Sequence, residues 1–117
     1  MRYLLFLIVA LVALSVASPG VSLATDTTVE YSFYGPSGDY KIELFEVGAP
    51  YPSRQDYVYG YSGTFTYRRT WSSIVAYRSY FIRITDLNSG VAKQTGSVYV
   101  TYNGGYYAWS TCYWSSM

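Results

Sequence analysis

From residue 25 onward the apolar positions alternate with polar ones in short runs, and the runs are separated by Gly, Pro, Asn and Asp. That is the period of strands with one buried face. Thr27, Val29, Tyr31 and Phe33 share one face of a first strand, with Thr28, Glu30 and Ser32 on the other. Gly35-Pro36-Ser37-Gly38 is a turn by composition. In a second strand Tyr40, Ile42 and Leu44 alternate with Lys41 and Glu43, and the prolines of residues 48–53 then exclude a central strand. Tyr57, Tyr59 and Tyr61 are expected on one face of a third strand; Phe65, Tyr67 and Trp71 mark a fourth. Residues 74–85 hold one long strand or two short ones, with Tyr80, Ile82 and Ile84 alternating against Phe81 and Arg83. Residues 86–90 form a turn, and residues 97–102 a further strand.

Asn103-Gly104-Gly105 lies between two β-rich runs and reads as a hairpin turn, since these residues readily reach positive φ. Asn103-Gly104 and Gly104-Gly105 are both suitable apices, and both give the same faces. One face carries Val98, Val100, Tyr102, Tyr107, Trp109, Thr111 and Tyr113 and is the expected core side. The other carries Tyr99, Tyr106, Cys112 and Trp114, which are therefore expected at the surface. The predicted fold class is all-β: an antiparallel β-sandwich of about seven to eight short strands, ending in a β-hairpin.

The first 24 residues are of a different kind. Arg2 precedes a charge-free apolar run at residues 4–16, which is shorter than the roughly 20 residues of a spanning helix. Pro19-Gly20 breaks that run, and Ser22-Leu23-Ala24 places small residues at −3 and −1 of a cleavage site. Residues 1–24 are expected to be a cleaved secretory signal peptide and residues 25–117 a single β-sandwich domain. Ser15-Val16-Ala17 is an earlier alternative cleavage site. The expected destination is secreted or cell-surface, with no stable membrane insertion of the mature chain.

Without Arg2 the mature chain has seven basic and seven acidic side chains. Neutrality with scattered charges lacks the footprint of a nucleic-acid binder. The sequence has no histidine, so Ser-His-Asp, Cys-His and His-based metal chemistry are excluded. A carboxylate-pair hydrolase needs only two acids about 5–9.5 Å apart. The acids Asp26, Glu30, Asp39, Glu43, Glu46, Asp56 and Asp86 read as solvated surface charges. Asp86-x-Asn88-x-Gly90 resembles half a calcium loop, but Asp and Asn in a β-turn are explained by side-chain-to-backbone bonds. No catalytic residue, metal ligand or cofactor is assigned.

Residues 80–86, the turn at Gly90 and Ser97-Val98-Tyr99-Val100-Thr101 resemble the last two strands of immunoglobulin- and fibronectin-III-like modules. The resemblance implies a sandwich fold and no particular function.

Sixteen tyrosines and three tryptophans are the conspicuous excess. Many share parity with Val and Ile and suit a small core. Tyr51, Tyr57, Tyr99, Tyr106 and Trp114 do not, and aromatics on polar faces mark contact surfaces. They are the expected interaction surface. Cys112 is the only cysteine and is expected to be exposed, with an intermolecular disulfide as its sharper role. The first strand could be donated to a neighbour by β-augmentation. The function expected is a non-catalytic structural, adhesive or assembly module acting through strand edges and exposed aromatics. Its partner would be itself or another extracellular protein. A monomeric carbohydrate-binding module with an aromatic platform is the alternative, and a carboxylate-based hydrolase a distant third.

Overall fold

The alternation that defines the first strand is realised as β1 (Asp26–Tyr34), whose Val29, Tyr31 and Phe33 are fully buried. The computed structural model describes residues 25–117; the predicted signal peptide lies outside them. β2 (Gly38–Glu46) buries Tyr40, Ile42 and Leu44, and β5 (Arg78–Asp86) buries Tyr80, Ile82 and Ile84. These three long strands meet across two sheets. The first sheet is ordered β4 (Tyr67–Val75), β1, then β8 (Tyr106–Ala108) and β9 (Cys112–Tyr113), both of which pair with β1. The second is ordered β3 (Arg54–Tyr61), β2, β5, with β6 (Ala92–Gln94) and β7 (Val98–Val100) sharing the far edge of β5. The core between them is largely aromatic: Tyr31 stacks on Trp71 at 4.0 Å and Phe33 meets Tyr40 edge-on at 4.7 Å. The all-β two-sheet architecture agrees with the expected sandwich class.

The expected terminal hairpin does not form. Asn103, Gly104 and Gly105 do have positive φ, at 38°, 75° and 88°. They use it to carry the chain from one sheet to the other, not to fold it back. β7 pairs antiparallel with β5, through Arg78↔Val100 and Tyr80↔Val98, whereas β8 pairs parallel with β1, through Thr28↔Tyr106 and Glu30↔Ala108. The physical reason is that β1 and β5 are buried central strands whose backbone groups must all be paired. A hairpin would satisfy one of those edges; the crossing satisfies both.

Parity follows the bulges. From Glu30↔Ala108 to Phe33↔Cys112 β1 advances three residues and its partner four. The inserted residue turns Trp109 and Cys112, three apart, toward the core together. Cys112 is only 3% exposed, so its expected surface position is overturned. Trp114 is likewise not a surface residue: it lies half-buried, edge-on to Tyr40 at 5.6 Å, with Lys93 Nζ 4.6 Å from its ring centroid. Tyr102 and Tyr113, placed on the core face by the hairpin reading, are exposed.

The same device acts twice more. Tyr40↔Val58 and Gly38↔Tyr61 leave one extra residue in β3, accommodated at Gly60 with φ 66°. Tyr61 therefore turns inward while Tyr57 and Tyr59 stay outward, so the three do not share a face as expected. In β4 the extra residue falls near Ser73, at φ 58°, and both Trp71 and Ile74 reach the core.

Candidate interaction surface

The outward residues of β2, β3 and β5 build a mixed aromatic and charged face on the second sheet. On β3, Tyr57 and Tyr59 project from the edge with rings parallel to within 5° and centroids 5.9 Å apart. Tyr59 is 70% exposed. Lys41 of β2, the cross-strand partner of Tyr57, holds its ammonium 5.9 Å from the Tyr57 ring. Two residues along β2, Glu43 is buried beneath its neighbours and accepts hydrogen bonds from Arg83 Nε and Nη2 at 3.3 and 3.2 Å. Its other oxygen lies 3.6 Å from Lys41 Nζ. Arg83 also lies 4.5 Å over the ring of Phe45, which stacks on Phe81 at 5.3 Å. The face thus has a charge-compensated centre, a covered aromatic pair at one end and two exposed tyrosines at the other.

Of the residues expected to form the contact surface, Tyr57 and Tyr99 lie on this face, at its opposite edges. Tyr51 sits in the β2–β3 loop and is 79% exposed. Tyr106 is exposed on the other sheet, away from this face, and Trp114 is withdrawn into the fold. Tyr59, Lys41 and Arg83 complete the surface and were legible only as alternating outward positions.

Two of the seven acids are not solvated surface charges. Glu43 is one. Asp56, on edge strand β3, points inward, where its Oδ2 accepts hydrogen bonds from Tyr31 at 2.5 Å and Tyr67 at 2.9 Å. Arg69 Nε in turn donates to the Tyr67 hydroxyl at 2.7 Å. The network ties β3 of one sheet to β1 and β4 of the other. Burial, and then the Asp56 carboxylate, push the Tyr31 and Tyr67 hydroxyls above the ordinary tyrosine range. Asp86 Oδ1 accepts from the amides of Asn88 and Ser89 at 2.9 and 3.3 Å, so the turn reading of that segment holds.

Burial pushes the Cys112 thiol up from 9.0 to about 11. It is a protonated, covered group that donates to the Ser110 carbonyl at 3.8 Å. An intermolecular disulfide would require it to be uncovered first. Cys112, Tyr31 and Tyr67 all favour their neutral forms more in the folded chain than in the unfolded one. Their contribution is fully present below the unfolded values of 9.0 and 10.0 and is lost as pH rises through the higher folded ones. Denaturant melts are expected to show constant stability from neutral pH to about pH 9 and a steep decline above it. Stability rising over the alkaline range would contradict the buried neutral groups. In native protein, thiol reagents are expected to label Cys112 no faster than the fold opens.

Among the described residues no helix is long and apolar enough to cross a membrane. No family model, curated protein or solved structure matches this chain. The structure bears out an all-β architecture of two sheets, and no comparison supports the finer likeness to immunoglobulin-type modules.

Proposed function

We propose that the mature chain is an exported, non-catalytic assembly or adhesive module, and that its contact surface is the outer face of the second sheet. The observation that carries this reading is the pair Tyr57 and Tyr59 standing exposed beside a salt-linked centre. Tyrosines offer large amphipathic contact area at low entropic cost, and stable interfaces centre on a few such anchors. The face is favoured over the strand edges. β3 carries an inward-pointing acid and a bulge, β4 carries a bulge, and the remaining edges are broken into segments of three residues or fewer. These are the features by which proteins block edge-to-edge pairing. Nor is β1 suited to donation, since it is the paired central strand of its sheet.

The partner proposed is a second copy of the chain, because a mature domain of zero formal charge meets no net repulsion from its own kind. Sedimentation of the mature protein over a concentration series tests this. Tyr57→Ser with Tyr59→Ser is expected to weaken association by about 30-fold or more, the loss of about 2 kcal/mol. Its melting temperature should stay within a few degrees of the parent, since both side chains are exposed. A parent that remains monomeric throughout, or a double variant that assembles unchanged, would reject the reading. So would turnover of a substrate that is lost on replacing one carboxylate.

A further inference from the structure

On the flank away from β3 and β4, the edge strands of both sheets are interrupted. Residues 95–97 separate β6 from β7 in one sheet, and residues 109–111 separate β8 from β9 in the other. Each interruption inserts one residue, and segments from both sides line a cleft of about 300 Å³ that opens between the sheets. The C-terminal turn beyond β9 borders it and is anchored by Lys93, whose Nζ donates to the Trp114 carbonyl at 2.9 Å.

The lining mixes polar and aromatic residues with the apolar Val98 and Met117. It holds no charged side chain; it combines the Gln94 amide and the hydroxyls of Ser97, Ser110 and Thr111 with the rings of Trp109 and Tyr113. Trp109 is otherwise buried and edge-on to Tyr107 at 6.1 Å, so its ring is held in place. Thr111 is bonded to Ser32 at 3.0 Å, whereas Gln94, Ser97 and Ser110 make no side-chain hydrogen bond to other described residues. Hydroxyls and an amide both donate and accept. No lining side chain offers a countercharge to an anionic ligand, whose desolvation would go unbalanced there. The held Trp109 ring and the exposed Tyr113 ring suit the apolar C–H surface of a polyhydroxylated ring. The volume lies at the small end of the roughly 300–1,000 Å³ typical of ligand pockets.

From this geometry we propose that the cleft is a binding site for a small neutral polyhydroxylated ligand of one or two sugar rings. It is separate from the tyrosine face and does not depend on the assembly reading.

Nuclear magnetic resonance titration of the mature protein tests it. Glucose, galactose, mannose, N-acetylglucosamine and their disaccharides serve as probes, with glucuronate and inorganic phosphate as charged controls. A neutral sugar is expected to give saturable amide shifts confined to residues 94–98 and 109–113. Ser97→Tyr, which fills the cleft from an exposed loop position, is expected to weaken that binding at least about tenfold; Ser110→Tyr does the same from the opposite wall. Tyr57→Ser with Tyr59→Ser should leave it unchanged. The proposal is overturned if no neutral sugar shifts these amides, if the shifts map to β3 instead, or if glucuronate binds as well as its neutral counterpart. It is equally overturned if both cleft-filling variants fold and bind like the parent.

Discussion

Replacing Tyr31 with alanine is expected to lower the melting temperature of the mature domain by about 15–30 °C. The ring is fully buried, stacks on Trp71 at 4.0 Å and lies 6.4 Å from Tyr67. Truncating a buried aromatic costs about 3–5 kcal/mol. In a domain of 60–100 residues each kcal/mol moves the midpoint by about 4–8 °C. Total stabilities of only about 5–15 kcal/mol leave little margin. The hydroxyl adds its own share, because it donates to the Asp56 carboxylate at 2.5 Å. Tyr31→Phe keeps the ring and removes that bond, and should cost about 1.5–3 kcal/mol, the usual range for hydrogen bonds to charged groups. Asp56→Ala should cost at least as much, because it leaves the Tyr67 hydroxyl without its acceptor as well. A double-mutant cycle of Tyr31→Phe with Asp56→Ala then reads the coupling between them. A neutral Tyr31→Phe would show that the network contributes nothing and that the ring alone matters.

Ending the chain after Tyr102 is expected to abolish the cooperative thermal transition. The deletion removes β8 and β9, and with them Trp109 and Cys112 from the core and the half-buried Trp114 from Tyr40. Trp109 alone accounts for about 3–5 kcal/mol. The deletion also frees one side of β1, including Glu30, whose carbonyl accepts from the Trp109 amide at 2.8 Å. A buried strand with unpaired backbone is both unstable and prone to pair with another chain. Circular dichroism with light scattering should therefore report unfolded or aggregated protein. If β7 instead depended on β8 as a hairpin partner, the same deletion would strip the second sheet's edge and leave β1 intact. A truncated protein that melts like the parent would reject the parallel pairing of β1 with β8 and β9.

The long strands were legible in the sequence because β1, β2 and β5 alternate with period two over their buried stretches. The chemistry of single residues carried that information: Val, Ile, Leu, Phe and Tyr at every second position, with Lys41, Glu43 and Arg83 between them. The turn at residues 86–90 was equally local, since Asp86 bonds backbone amides two and three residues on. So was the positive φ of Asn103, Gly104 and Gly105. Where that turn delivered the chain was not local. Turn chemistry sets dihedral angles, whereas the partner is chosen by whichever buried edge still lacks hydrogen bonds, here β5 for β7 and β1 for β8. Bulges were hidden for a related reason. Gly60 announces its freedom, but Ser73 at φ 58° and the insertions at 95–97 and 109–111 do not, because only cross-strand register creates them. Each bulge reverses the inward and outward sense of the residues C-terminal to it. Tyr57, upstream of the shift in β3, is exposed as its parity implies; Cys112 and Trp114, downstream of the insertion at 109–111, are withdrawn from the surface. The cleft had no signature of its own, since its walls are two uncharged loops that become neighbours only when the two sheets pack face to face.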